Sequence, residues 1–496
     1  MSEQTELAIE PGALRVAPAA SDDTPPSFDG PVDYDLVVIG AGSAAFAAAI
    51  RARDAGRSVA LVEAGTVGGT CVNVGCVPSK TLVRAAELRA AVDRNPFAGV
   101  EVNAGTVNLG ALVAQKDELV DGLRQAKYLD LIDDYGIKVV HGRGRFVDPG
   151  TLDVDGRTIT AQAFLVATGA HPWVPPIHGL AEAGYLTSTT ALEAREVPAR
   201  LAVVGANAIG LELGQFFAHS GSAVTFLDVA ERIAPFEEPE ASAALRSALE
   251  AEGAMVHAPA QITQVERDGD LRRLTVETDG ETFTVEVDEV LVATGRRANT
   301  GELGLDTAGV EADQTGGIVV DEGLRTTNPR VWAAGDVVAG VPQFVYVSAY
   351  HGALAADNAL FDAQRSVDYA GLPRVTFTAP QIAGAGLTEA QARAQGHAVK
   401  TSVLDLAHVP RALVNRDTRG VIKLVADVES DRLLGASIVA ESAGEVIQAA
   451  VLAIRHGITT TELAATFHPY LTMAEGLKLA AQTFDRDVAK LSCCAA

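Results

Sequence analysis

Tyr34-Asp35-Leu36-Val37-Val38-Ile39-Gly40-Ala41-Gly42-Ser43-Ala44-Ala45 decides how this chain folds, together with the alanine-rich stretch to Ala55-Gly56 and the run Ser58-Val59-Ala60-Leu61-Val62-Glu63. A short apolar run, a glycine turn, a helical stretch and a second apolar run make a βαβ unit. In such a turn Gly40 reverses the chain, Gly42 lets backbone N–H groups approach a pyrophosphate, and Ala45 lets helix and strand pack closely. Glu63 closes the second strand, where an acid accepts hydrogen bonds from an adenosine ribose. The same grammar returns at Leu201, with the turn Gly205-Ala206-Asn207-Ala208-Ile209-Gly210, a helix to Ser220-Gly221 and a strand ending at Asp228. Here Asn207 replaces the middle glycine. Asn tolerates unusual backbone angles but crowds a phosphate more than glycine does, so a turn kept only for packing stays open. Asp228 favours a free 2′-hydroxyl and repels a 2′-phosphate, whereas Arg232 could offset that repulsion, which leaves NADH and NADPH both open. Each unit has an echo downstream. Ala163–Ala170 runs into Thr168-Gly169, and Glu289–Thr300 runs into Thr294-Gly295.

Outward from these two units, the chain has 496 residues, 48% of them apolar, which suits about three globular domains. The expected architecture is α/β: two Rossmann-like dinucleotide-binding domains plus a C-terminal α+β dimerisation domain. The boundaries read as a disordered tail over 1–32, the first part of one dinucleotide-binding domain over 33–170 and the second dinucleotide-binding domain over 171–297; the resemblance described below makes these the FAD-binding and NAD(P)-binding domains. A central part follows over 298–371, which the resemblance below makes the second part of the FAD-binding domain, then an interface domain over 372–496. A formal charge of −25 repels phosphate backbones and anionic headgroups, so neither nucleic acid nor membrane is expected as a partner. The longest apolar run, Leu36–Ile50, is too short to span a bilayer. With no basic flank and apolar stretch at the N-terminus, the four cysteines are expected in the reducing cytoplasm, where cysteines do chemistry or bind metal.

Gly68-Gly69-Thr70-Cys71-Val72-Asn73-Val74-Gly75-Cys76-Val77-Pro78-Ser79-Lys80 is the most informative segment. Two thiols four residues apart, at the entry to a helix, can close a small disulfide and keep a thiolate at the helix N-terminus. Zinc binding and inert burial are rivals for that spacing alone, but no second CxxC pair or histidine cluster completes a zinc site. The segment resembles the signature of the flavin-dependent pyridine nucleotide disulfide oxidoreductases, and the resemblance extends from Tyr34 to the C-terminus. It implies FAD held through Gly40, Gly42, Ala45, Glu63, Thr70, Thr168 and Gly169, and a nicotinamide coenzyme at Gly205, Gly210, Asp228 and Gly295. It makes Cys76 the thiol next to the flavin and Cys71 the one that exchanges with substrate. Lys80 is placed beside the flavin, poised by Glu212. Trp332-Ala333-Ala334-Gly335-Asp336 resembles the second flavin motif, with Asp336 on the ribityl chain. The family habit is NADPH.

Two departures near the C-terminus bear on the substrate. Disulfide reductases of this family carry a histidine five residues before a glutamate as acid/base, but before Glu475 that place belongs to Tyr470, with His468 two residues too early. A tyrosine with a pKa near 10 is a poor proton shuttle at neutrality. The second departure is the vicinal pair Cys493-Cys494, which can bind a soft cation and pass it on by ligand exchange. Together with Cys71 and Cys76, these features resemble the branch of the family that reduces Hg(II), in which the tail pair serves the partner subunit's flavin site. The resemblance implies Hg(II) and its thiol complexes as substrate, a homodimer with active sites at the interface, and Tyr185 beside the metal path. On the residues alone, Tyr185 is equally a core aromatic. Two other readings remain: a dihydrolipoamide-type or other low-molecular-weight disulfide reductase, and a flavoprotein that sequesters soft metals without turnover.

Overall fold

The structure, a computed structural model, describes residues 31–487. Cys493 and Cys494, and most of the expected N-terminal tail, lie outside the described residues. The chain divides into two compact units. The first takes the residues up to Ser79, Val113–Trp173 and Gly295–Asp368; the second takes Lys80–Leu112, Val174–Thr294 and the chain from Tyr369 onward.

In the first unit the strands Lys138–His141, Val59–Glu63, Tyr34–Ile39 and Arg157–Val166 lie side by side, parallel, and Val331–Ala333 adds next to the last. Leu36, Val37, Val38 and Ile39 are all buried, as a parallel strand covered on both faces requires. The alanines of the helix Ser43–Asp54 allow the helix Val345–Phe361 to lie close against it: a Cβ on Gly352 would sit 2.0 Å from the Ala44 carbonyl oxygen. Two antiparallel strands, Gly144–Asp148 and Thr151–Val154, extend the sheet from the start of Arg157–Val166.

The second unit repeats the parallel arrangement in the order Met255–His257, Ala223–Leu227, Arg200–Val204, Glu289–Val292 and Leu186–Thr187. The duplication reaches the turns themselves. Gly40 has φ +112° and Gly205 has φ +96°; a Cβ would meet the Ala167 carbonyl oxygen at 2.4 Å in one and that of Ala293 at 2.5 Å in the other. A side chain at either place would collide with the echoing strand, so glycine is required twice for one reason. Asn207 differs from expectation. Its φ of −106° is ordinary extended backbone, so the turn asks no unusual angle of it.

The same unit contains a five-stranded antiparallel sheet in the order Pro373–Thr376, Gln381–Gly386, Leu433–Ala440, Val421–Asp427 and Val399–Asp405. The helices Ala443–Arg455 and Glu475–Gln482 contribute Ile447, Ala450, Leu477 and Ala480 to its core. Lys423, only 3% exposed, projects from this sheet onto Glu238, Glu240 and Glu389 at 2.9–3.0 Å. Burial alone would lower its pKa, but the three carboxylates outweigh that and raise it.

Candidate active site

Cys71 lies inside the short helix Gly69–Asn73, and Cys76 opens the long helix Cys76–Asp93. The chain between them turns at Gly75, whose Cβ would strike the Thr70 carbonyl oxygen at 2.8 Å. The two thiols are not joined in a disulfide; Cys76 is exposed and Cys71 half-buried. A helix N-terminus favours the thiolate of Cys76. Tyr128 is a neighbour that the sequence reading passed over. It lies in a single π-helical turn, Gln125–Leu129, and its ring meets Phe46 edge-on at 4.8 Å. Burial raises its phenol pKa, a bond with Ser43 opposes this, and the charges of Cys71 and Cys76 raise it further. Tyr128 therefore stays a neutral hydroxyl within electrostatic reach of both sulfurs. The interruption of helical period at Gln125–Leu129 has no signature in residue type.

The first unit also has the shape that a flavin dinucleotide needs. The helix Ser43–Asp54 has no side-chain cap at its N-terminus, and Gly42 faces the backbone of Gly69, with a Cβ on Gly69 falling 2.6 Å from the Gly42 Cα. Bare backbone on both sides of an uncapped helix end suits a pyrophosphate. Glu63 accepts the Gly65 N–H at 2.6 Å through Oε1. At the other motif Asp336 is raised by burial against the opposing pull of Arg296 and Ser348. Its nearest side-chain donors are distant, Ser348 Oγ at 3.4 Å and Arg296 Nε at 3.7 Å. Arg296 Nε is itself buried with no hydrogen-bond partner among the described residues. An under-served carboxylate beside an orphaned guanidinium nitrogen fits a ligand that brings hydroxyls, as a ribityl chain does. The Thr168 hydroxyl donates to the Asn299 carbonyl at 2.8 Å, while the Asn299 amide donates to the Thr168 carbonyl at 2.8 Å. Ala45 is fully buried, Thr70 is exposed, and Gly169 and Gly295 carry φ of +68° and +119°.

In the second unit, Lys80 and Glu212 are brought together as an ion pair. Glu212 is 5% exposed, and its other oxygen accepts the Phe377 N–H at 2.9 Å. Gly210 permits the glycine turn to close: a Cβ there would overlap the Gly205 carbonyl oxygen at 1.9 Å. Asp228 accepts the Ala206 N–H at 2.5 Å and the Ala230 N–H at 2.8 Å, one on each oxygen. Arg232 does not face Asp228 as a counter-charge. Its Nη2 donates to the carbonyls of Pro235 and Glu237, at 2.7 and 2.9 Å. Tyr185 packs at the edge of the apolar cluster that holds Leu180, Ala202 and Val204. Tyr470 is half-exposed on a loop beside Phe467, and Glu475 accepts the Leu471 N–H at 3.2 Å.

A dithiol one helical turn before a carboxylate-held lysine, in a chain with two uncapped nucleotide turns, defines a flavin- and nicotinamide-dependent thiol oxidoreductase. Residues 34–352 match the family model "Pyridine nucleotide-disulphide oxidoreductase", and residues 372–481 match its dimerisation domain. The chain belongs to the pyridine nucleotide-disulphide oxidoreductase family. Among its relatives are proteins named mercuric reductase. One from Staphylococcus aureus is 51% identical over 93% of this chain and 84% of the relative, and one from Streptomyces lividans is 52% identical over 93% and 98%. The solved Cu(II) complex of the HOCl-induced flavoprotein disulfide reductase RclA from Escherichia coli is 31% identical, with a TM-score of 0.79 over 89% of this chain and 98% of that one. No helix of the described residues is long and apolar enough to cross a membrane.

Proposed function

We propose that this chain reduces Hg(II) to Hg(0) with electrons from NAD(P)H. The reading rests on one observation above others: Tyr470 stands on an exposed loop five residues before Glu475, where disulfide reduction calls for an imidazole. The relatives named mercuric reductase support it. Overall, a bis-thiolate of Hg(II), NAD(P)H and one proton give Hg(0), two thiols and NAD(P)⁺. Bound FAD supplies the two-electron link between the nicotinamide and the cysteine pair. Gly40, Gly42, Glu63 and Asp336 would hold it. Cys71 and Cys76, kept as thiols, take Hg(II) by exchange with incoming thiolates, a soft cation on soft ligands. Metal reduction needs no proton delivered to the metal, so a phenol in place of an imidazole does no harm. Cys493 and Cys494 collect the metal for the partner subunit's Cys71 and Cys76, with Tyr185 and Tyr470 along its path. The protein acts as a homodimer in the cytoplasm, where both nicotinamide coenzyme and thiols are kept reduced.

The finer reading of the coenzyme is NADH. Asp228 keeps lone pairs for a 2′-hydroxyl, and Arg232 has its Nη2 committed to two carbonyls. The decisive assay follows nicotinamide oxidation with Hg(II) in excess thiol, against lipoamide and oxidised glutathione as acceptors. Turnover with the disulfides and none with Hg(II) would overturn the proposal in favour of a disulfide reductase. No turnover with any acceptor, despite bound flavin, would make the chain a metal-sequestering flavoprotein.

A further inference from the structure

The helix Ala208–Ser220 turns three polar side chains, Glu212, Gln215 and His219, to one side, and none is more than 7% exposed. Spacings of three and four residues place them in a row. Buried polar groups need partners, and the middle one has an unusual set. Gln215 Oε1 accepts the Ala379 N–H at 2.7 Å, and its Nε2 donates to the carbonyl of the same residue at 2.9 Å and to Glu252 Oε2 at 3.1 Å. Two residues earlier, the Phe377 N–H donates to Glu212. Phe377–Ala379 is thus fastened to the helix at alternate N–H groups, as if the side chains were a neighbouring strand. Both consequences converge on Lys80. The Phe377 N–H occupies one oxygen of Glu212 and fixes the other toward the Lys80 ammonium, and the Phe377 ring lies 5.0 Å from that ammonium.

We infer that Gln215 is a positioning residue for Lys80, acting through the clamped segment Phe377–Ala379. The inference rests on the reading above that Lys80 serves the flavin. Gln215 touches neither Lys80 nor Glu212 by any hydrogen bond; it holds the peptide that holds Glu212. Without the clamp, the Phe377 N–H leaves Glu212, the carboxylate rotates, and the ring no longer covers the ammonium. Cation–π and hydrogen-bond contributions of this kind are each modest, so the expected effect is about threefold to tenfold on the rate at which Lys80 is labelled.

The test compares wild type with Gln215→Leu and Lys80→Met as full-length holoenzymes. Gln215→Leu removes both bonds to Ala379 and the bond to Glu252. The first readout, which does not depend on turnover, is the rate of reductive methylation of Lys80 followed by mass spectrometry, with the exposed Lys138 as internal control. The second is the midpoint potential of bound FAD. Gln215→Leu is expected to raise Lys80 labelling severalfold at unchanged Lys138 labelling, and to move the potential in the same direction as Lys80→Met. Unchanged Lys80 labelling in a folded, FAD-replete Gln215→Leu overturns the positioning role. Altered labelling with no change of potential, in a protein where Lys80→Met also leaves the potential unmoved, instead overturns the assignment of Lys80 to the flavin. Should Gln215→Leu not fold, Gln215→Asn, which shortens the clamp without removing its chemistry, gives the same comparison.

Discussion

Acidification should loosen the helix that carries Glu212, and His219 sets by how much. Burial, followed by the charges of Arg94, Arg419 and Arg89, lowers its imidazole to about 3. Glu252, whose oxygen lies 2.9 Å from His219 Nε2, would ordinarily raise it, but that carboxylate is already shared with Arg94 and Arg419 and has little left to give. The folded chain therefore refuses a proton that the unfolded chain accepts at its ordinary pKa of about 6.5. Stability from the neutral imidazole is fully present above pH 6.5 and is lost as pH falls from there toward 3. Between about pH 7.5 and pH 5 the linkage relation gives a loss of about 2 kcal/mol from this one group. His219→Gln keeps a donor for Glu252 and cannot titrate. The measurement is hydrogen exchange of the helix Ala208–Ser220 at the two pH values, with thermal unfolding alongside. Wild type should lose about 2 kcal/mol more opening free energy than the variant. Equal losses in the two proteins would refute the claim that His219 is held neutral.

Cys76→Ser should abolish Hg(II) turnover while FAD remains bound, because Gly40, Gly42, Glu63 and Asp336, which would hold most of the flavin, lie in other segments; near-normal turnover would sink the dithiol route. NADH should exceed NADPH in kcat/KM by about tenfold, the low end of the repulsion that a carboxylate imposes on a phosphate at close range in a solvent-exposed site, and Asp228→Ser should narrow the gap. Lys423→Met leaves Glu238, 4% exposed, as a buried carboxylate without its cation, at a cost of about 3 kcal/mol or more, visible as a lower melting temperature; a shift within error would show that Glu238 finds another partner.

The parts of this architecture that repeat were the legible ones. Both glycine turns, both acids at strand ends and the echoing Thr-Gly turns are short-range patterns, and short-range patterns survive in a linear sequence. The pairing of Lys80 with Glu212 was available only through family resemblance, since 132 residues separate them. Other features were misjudged or missed for physical reasons. Arg232 was read as able to offset the repulsion of a 2′-phosphate by Asp228; spacing does not show that its Nη2 donates to two carbonyls a few residues on. Asn207 was read as a residue that tolerates unusual backbone angles, yet the position needs only extended backbone. Tyr128 was invisible because a π-helical turn shifts which side chains face one another without changing the composition.

Glu212, Gln215 and His219 show why a buried polar row escapes a reading by pattern. In sequence they sit among Leu211, Leu213, Phe216 and Phe217, and the helix reads as apolar almost all round. A polar residue at such a position would be expelled unless a partner of matching geometry arrived from elsewhere. Those partners come from residues 80, 252 and 377–379, three separate stretches of chain. Each buried polar group thus records a long-range contact that had to form before the helix could be covered. Glu212 grips a lysine that the proposed chemistry uses, Gln215 grips the peptide that steadies that grip, and His219 shares Glu252 with two arginines. Loss of any partner leaves a charge or an amide stranded in apolar surroundings, which is why the row tolerates little displacement, and a lysine that must hold still benefits from that intolerance.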